Sequence, residues 1–374
     1  MQQLQPRSLE GIANYLRFEY WSPRQFDLDE HKVITVNLAG LTHPGRILAV
    51  EALETWSDVT GITFRRTKKE AQITFDDAED GAFAQSGVRG EEVVFSTVNI
   101  GKDWLERFGT AFDSYSFQTY IHEIGHALGL GHPGPYNDTA DFETDAAFAN
   151  DSWQTSVMSY FSQGENPNVN ATSAFTITPM GADILAAQAM YGAANDVRLG
   201  DTTYGFNDTT GEARLELNDT DFWVAATLID SGGIDTLDFS GYSTYQSINL
   251  NDRSLSSYGG GKGNLSIGAG TVIENVIGGA ARDRIIANEA DNVLTGGAGA
   301  DIFVFRGKDL GQDRITDFEF GVDTLDFRAG AKAKDFEITE AKNGLLLLDQ
   351  SDGEDSIFLA GLTLDQISID QLLV

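Results

Sequence analysis

The sequence predicts an α+β domain followed by an all-β domain whose strands run parallel. Three observations carry this. Residues 8–191 mix strand-like alternation with helical periodicity, and one helical stretch ends in a histidine cluster, His122, His126 and His132. Near Asn195 the helical periodicity stops, and short alternating runs separated by Gly, Asp and Asn take over. Between Gly278 and Val304, three nine-residue Gly- and Asp-rich units follow one another in register. The expected division is 1–194 and 195–374, with an N-terminal arm over 1–30.

Taken in order, Leu9, Ile12, Leu16 and Phe18 predict a short amphipathic helix over residues 8–20. It reads either as an ordered arm or as the end of a removable prosegment. Val33–Leu38 is β-branched and bounded by charge and glycine, which predicts a strand. Pro44–Val59 predicts a helix, with Ile47, Val50, Leu53 and Trp56 at helical spacing as its core face. Residues 61–64, 71–75 and 92–100 predict further strands, and Phe117–Leu130 a helix. Residues 135–150 form a polar, acidic loop. Pro179–Tyr191 predicts a closing helix, with Met180, Ile184 and Leu185 facing inward.

The chemistry concentrates in His122-Glu-Ile-Gly-His126-Ala-Leu-Gly-Leu-Gly-His132. His122 and His126 lie one helical turn apart, so both imidazoles project from one face and can hold one zinc ion. Glu123 lies beside them, where its carboxylate can reach a water at the metal without binding the ion. His132 is six residues past His126, and a continued helix would carry it to the far side. The chain must turn back, and Gly129 is placed for the left-handed residue that ends the helix. Three protein ligands leave an open position, as a catalytic zinc requires. The bland alternative is a helix that carries histidines by accident. The chain has only five histidines, and three fall within this stretch.

Composition narrows the class. There are no cysteines, which excludes disulfides and thiolate metal ligands. The 57 acidic and 25 basic residues give a net charge of −32, which argues against nucleic acid or an anionic membrane surface as partner. No apolar run approaches the roughly 20 residues that span a bilayer, so no membrane insertion is expected. The N-terminal Met-Gln-Gln-Leu-Gln-Pro-Arg lacks the apolar core of a secretory signal peptide.

The nine-residue template is Gly-Gly-x-Gly-x-Asp-x-U-x, with U a large apolar residue. Residues 296–304 match every fixed position. Residues 278–286 carry Ala281 for a glycine, and residues 287–295 lack both leading glycines and carry Asn292 for aspartate. Glycines let successive carbonyls converge on a cation, and the aspartate adds charge. The residue at U is expected to point inward.

Beyond the histidine pattern, the chain carries Ser156-Val-Met158-Ser-Tyr160 and Pro133-Gly-Pro-Tyr136-Asn137. Together these resemble the metzincin metalloproteases, and within them the serralysins: secreted bacterial zinc proteases with a calcium-binding RTX β-roll. The resemblance covers residues 118–137 and 153–161 nearly without departure, and continues from about Gly192 to the C-terminus. It implies a metzincin protease domain, a β-roll, and a zinc-dependent endopeptidase of broad specificity. It makes Met158 an apolar base beneath the ligands, and Tyr160 a phenol that hydrogen-bonds the oxyanion. It implies an edge strand above the cleft, best matched by Gly81, Ala82, Phe83 and Ala84, that pairs with extended substrate.

The resemblance also implies several structural calcium ions. Asp283 and Asp301, in the first and third units, share one. Carbonyls of Arg198, Gly200 and Thr202, the carboxylates of Asp230 and Asp235 with carbonyls of Gly232 and Gly233, and Val272 with Glu274 complete others. Threonine is more usual at position 272. The degenerate middle unit leaves its side without a matching site. The implied partners are polypeptide substrates, a proteinaceous protease inhibitor, and a type I secretion apparatus that reads the tail, Asp365–Val374, and delivers the protein outside the cell. A rival reading is a calcium-binding adhesin or matrix protein with a vestigial metal site. Glu123 weighs against it, because a dead site has no need of a general base.

Overall fold

The structure is a computed structural model that describes residues 4–219, 223–307, 309–328, 335–350 and 353–366. The chain forms two compact units: Met1–Val197 with Phe222–Ile229, and Arg198–Asp221 with Asp230–Val374. Among the described residues no helix is long and apolar enough to cross a membrane.

The first unit is α+β. Ser8 caps α1 (Leu9–Asn14) by accepting the Gly11 N–H, and the chain continues as a π-helical turn over Tyr15–Glu19. Five strands follow: β1 (Val33–Gly40), β2 (Thr63–Arg66), β3 (Ile73–Asp76), β4 (Ala82–Arg89) and β5 (Glu92–Ile100). They form one sheet in the order β2-β1-β3-β5-β4, parallel except for β4, which runs antiparallel along the outer edge. Ile34, Val36, Ile73 and Phe75 alternate onto the buried face.

Two long helices pack on each other: α2 (His43–Thr60) and α4 (Tyr115–Leu128), with the short α3 (Lys102–Phe108) between them in sequence. The buried stripe of α2 differs from the expected one. Ile47 is 44% exposed and Val50 is half-buried, while Leu48, Ala49, Ala52, Leu53, Trp56 and Val59 face the core. The alanines let α2 approach closely, so the stripe follows them and not the largest side chains. Trp56 donates its Nε1–H to the Ile121 carbonyl on α4 at 3.0 Å. The acidic loop contains a single turn, α5 (Phe142–Asp145). The closing helix α6 (Gly181–Tyr191) buries Ala182, Ile184, Ala186 and Ala187, while Leu185 is only half-buried. Met180 precedes it as the N-cap.

The second unit is strand-rich and built on parallel sheets. One sheet stacks Thr203–Gly205, Thr236–Asp238, Asn275–Ile277, Val293–Thr295, Gln312–Ile315 and Ser356–Ala360 in parallel. The other stacks Ser247–Asn249, Arg284–Ile286, Ile302–Arg306 and Thr324–Arg328 in parallel. Successive nine-residue units feed alternate sheets, since nine residues make one short strand and one turn. The U residues Ile285, Leu294 and Phe303 are all fully buried. The unit is not parallel throughout: an antiparallel hairpin, Phe336–Ala341 with Gly344–Asp349, closes the larger sheet on Ser356–Ala360. Of the tail, Leu364–Gln366 is a 3-10 turn, and residues 367–374 lie outside the described residues.

Candidate metal centre and cleft

Helix α4 starts where Ser114 Oγ accepts the Phe117 N–H, and ends at Gly129, whose φ is 111°. A Cβ at Gly129 would stand 2.1 Å from the Arg24 carbonyl oxygen, so the turn needs glycine for space as well as for φ. The reversal brings His132 back over α4. Each imidazole Nδ1 lies 2.8 Å from a backbone carbonyl: Val157 for His122, Leu130 for His126 and Tyr136 for His132. A carbonyl only accepts, so each Nδ1 carries the proton and each Nε2 presents a lone pair.

The three Nε2 atoms converge. His126 and His132 are 2.9 Å apart there, and His132 and His122 are 3.3 Å apart. No proton is left to join them, so a cation is what reconciles three lone pairs aimed at one point. Zinc–nitrogen bonds of about 2.0–2.1 Å at tetrahedral angles place ligand nitrogens about 3.3 Å apart, which the histidines fit. Burial pushes His122 down to about 4, His132 to about 3 and His126 well below its ordinary value, so all three are neutral near pH 7. Neutral imidazole is the state a metal needs.

Glu123 sits on α4 between the ligands, 6% exposed. Burial pushes its carboxyl up to about 8, against a hydrogen bond from the Ala84 backbone that favours the charged form. Its Oε2 is buried and, among the described residues, meets no hydrogen-bond donor. A cleft of about 670 Å³ opens above, and Gly81, Ala82, Phe83 and Ala84 line it together with Tyr160 and Trp21. The Tyr160 ring lies 4.4 Å from the His132 ring centre, and burial pushes its phenol well above the ordinary value. Met158 is fully buried beneath α4, and a Cβ on Gly125 would stand 2.6 Å from its sulfur.

The cleft contains residues that sequence reasoning did not single out. The N-terminal arm is ordered: Leu16 O accepts the Gly131 N–H at 2.8 Å, and Trp21 donates to the Gly129 carbonyl at 2.9 Å. Tyr20 meets the His132 ring edge-on at 4.9 Å. Buried Asp183 accepts from Ser156 Oγ and the Val157 N–H, both at 2.6 Å, and so holds the turn whose carbonyl fixes His122. Backbone carbonyls leave no mark in a sequence. Asp183, at the first turn of a predicted helix, had a recognisable capping position.

Residues 193–364 match the family model described as Peptidase M10 serralysin C terminal. The chain is 38% identical over 259 residues to "Metallopeptidase AprA" of Pseudomonas marginalis, covering 66% of this chain and 54% of that one. It is 39% identical over 254 residues to "Serralysin" of Photorhabdus luminescens, covering 65% and 52%. The chain is a relative of the serralysins. Against "Serralysin B" of Dickeya chrysanthemi it is 37% identical over 248 residues, covering 63% and 51%. This serralysin relative thus spans about half the length of the relatives it matches.

In its second unit, this serralysin relative gathers Asp230, Asp235 and Glu274. Asp235 Oδ1 accepts the Thr202 N–H at 2.8 Å, and Glu274 accepts the Asp235 N–H at 2.7 Å. Asp235 Oδ2 is buried and meets no donor among the described residues. Asp230 accepts from Tyr204 and from the Gly232 N–H. Gly233 lies so close to Gly200 that a Cβ would meet its carbonyl at 2.6 Å. The Arg198 side chain turns instead to Tyr204 and Glu212. Val272 is 48% exposed.

Asp283 and Asp301 stand on one ladder. Asp283 accepts the Gln246 N–H, Asp301 accepts the Asp283 N–H at 2.7 Å, and Asp323 accepts the Asp301 N–H at 2.9 Å. Asp313 plays the same part on the other sheet, accepting from Asn292 at 2.9 Å. Asp313 and Asp323 were missed, although Gly311-Gln-Asp-Arg-Ile315 and Gly321-Val-Asp-Thr-Leu325 keep the Gly-x-Asp-x-U half of the template.

Proposed function

We propose that this chain is a secreted, zinc-dependent endopeptidase: a metzincin-type catalytic unit followed by a calcium-folded β-roll. The observation that carries it is the convergence of three protonless Nε2 atoms beside a buried carboxylate oxygen that meets no donor among the described residues, at the foot of an open cleft. His122, His126 and His132 would hold the zinc. When bound, zinc supplies Lewis acidity, which polarises the scissile carbonyl and makes water nucleophilic near neutral pH.

The chain's own residues do the rest. Strand β4 is the outer strand of its sheet, and Gly81–Ala84 offer backbone groups that pair with an extended polypeptide. Backbone pairing ignores side chains, which suits broad specificity. Glu123 accepts the proton of the attacking water and passes it to the leaving amine. The Tyr160 phenol donates to the developing oxyanion. In the second unit, calcium ions would neutralise the Asp230–Asp235–Glu274 group and the Asp283–Asp301 ladder, and the tail would serve type I export. Hydrolysis of casein by the wild-type protein, abolished by a zinc chelator and restored by zinc, tests the reading. A folded, zinc-loaded protein without peptidase activity would leave the adhesin alternative standing.

A further inference from the structure

Buried in the first unit is a carboxylate that the chemistry above does not use. Asp151 is fully buried. Its Oδ2 accepts the Tyr136 hydroxyl at 3.0 Å, and its Oδ1 accepts the Ser159 hydroxyl at 2.7 Å. Its backbone is pinned as well, because Asn166 Nδ2 donates to the Asp151 carbonyl at 2.8 Å and to that of Ala149 at 3.0 Å.

Both hydroxyls lead to the metal centre. Tyr136 is the residue whose carbonyl accepts His132 Nδ1–H at 2.8 Å, and its ring stacks on the His132 ring at 5.5 Å and 23°. Tyr136 is thus held at its phenol end by Asp151 while its other end orients His132. Ser159 also accepts the Phe161 N–H at 3.1 Å, so its hydroxyl brackets Tyr160 from both sides. The Tyr136 and Tyr160 rings lie 5.1 Å apart.

We infer that Asp151 is a positioning residue, which sets His132 through the Tyr136 phenol and Tyr160 through the Ser159 hydroxyl. The physical reason is geometric. His132 is the ligand not carried by α4, so the helix does not fix its ring. Its aim depends on the loop 133–136, and Asp151 is the anchor of that loop. Burying a carboxylate is unfavourable unless hydrogen bonds offset it, and two hydroxyl donors do so. An amide at the same place would leave Tyr136 only its longer contact with Oδ1, 3.2 Å, and would set an N–H2 donor where Oδ2 now accepts.

The inference rests on the reading of His132 as a zinc ligand, and the test separates the two. Full-length wild type, Asp151→Asn, Tyr136→Phe, Ser159→Ala and the Asp151→Asn/Tyr136→Phe double variant would be titrated with zinc against a competing chelator. Each would also be loaded with cobalt for its visible ligand-field spectrum, with thermal unfolding as a check on folding. Asp151→Asn should weaken zinc about 10–100-fold and shift the cobalt spectrum, the usual cost of losing an outer-shell partner. Tyr136→Phe should do part of the same, and the double variant should be no worse than Asp151→Asn alone, since both act along one chain. Ser159→Ala should lower kcat on a peptide with KM nearly unchanged. If Asp151→Asn does not fold, a weakened zinc site in Tyr136→Phe still supports the inference, and an unchanged one refutes it. Wild-type zinc affinity and spectrum in Asp151→Asn, or strictly additive effects in the double variant, would overturn it. Wild-type protein that takes up neither metal would overturn the functional reading itself.

Discussion

Glu123 and Tyr160 face the same cleft, but their environments set them different tasks. Glu123 is buried, and its Oε2 meets no donor among the described residues, so that oxygen is free to take a proton. Its replacement by alanine should leave the three histidines and their carbonyl partners in place. Glu123→Ala is therefore expected to bind zinc and fold like wild type while losing about 10²–10⁴-fold in kcat or more. Zinc content, circular dichroism and peptide hydrolysis on one preparation check this, and wild-type turnover would refute the mechanism. Burial pushes the Tyr160 phenol well above its ordinary value, so it keeps its proton near neutral pH and can donate it. Tyr160→Phe should lower kcat with little change in KM, because the interaction belongs to the transition state. Residue identity made this much legible in advance: two histidines a turn apart, a carboxylate between them and a third histidine past a glycine. What fixes the rings was not legible, because Val157, Leu130 and Tyr136 act through carbonyls that any residue carries.

At the scale of elements, the site depends on how α4 stops and on what it rests against. Gly129 has a left-handed φ and no room for a Cβ, and Gly125 has Met158 against its face. Gly129→Ala combines backbone strain with a clash against the Arg24 backbone, which cannot move aside as a side chain would. It is expected to disorder the 129–132 turn and abolish zinc binding. Gly125→Ala clashes with a flexible thioether instead, and overpacking of this kind typically costs about 1–3 kcal/mol. It should lower the unfolding temperature and keep a weakened metal site. Zinc titration and thermal unfolding of the pair would test the ranking, and equal effects would contradict it. The end of α4 at Gly129 was readable from cap chemistry, whereas its start was expected at Phe117 and lies two residues earlier, behind the Ser114 cap. The face of α2 was not, because period alone left two frames open and close packing of Ala49 and Ala52 chose between them. The edge strand at Gly81–Ala84 was expected only through the resemblance, since an outer strand has no side-chain signature of its own.

At the scale of the molecule, the acidity of the chain becomes a stability switch. The shift in composition near Asn195 set the expected boundary, and the nonapeptide register placed Ile285, Leu294 and Phe303 inward. The antiparallel closing hairpin and the degenerate turns at Asp313 and Asp323 were hidden because they keep only half of the repeat. In the second unit, burial pushes Asp235 up to about 7, Asp301 to about 6 and Asp313 to about 8. The unfolded chain would hold these carboxyls near the usual value of about 3.9. The folded state therefore binds more protons across roughly pH 4–8, and linkage gives the sign. The stability from these groups is fully present below about pH 4 and is lost as pH rises through 6 to 8. Bound as proposed, calcium would reverse this, by holding the ionised carboxylates of the folded unit and drawing the equilibrium toward it.

Protons and calcium should thus substitute for one another. In chelator, thermal unfolding of the second unit in the full-length protein should move to lower temperature between pH 5.5 and pH 8. In millimolar calcium, within the range of about 10⁻⁴–10⁻³ M at which extracellular modules bind, the same transition should hold level or rise. Asp301→Ala should weaken the calcium effect more than Asn292→Ala, because Asp301 belongs to the intact repeat and its carboxylate spans two turns of the ladder. Hydrogen exchange of peptides from 278–304 would assign the transition to this unit. A chelated protein whose exchange there, corrected for intrinsic rates, is unchanged from pH 5.5 to pH 8 would show that these carboxylates do not oppose folding. The same coupling would keep the unit open at the low calcium of a cytosol and close it outside, which is the order of events that export through a narrow channel requires.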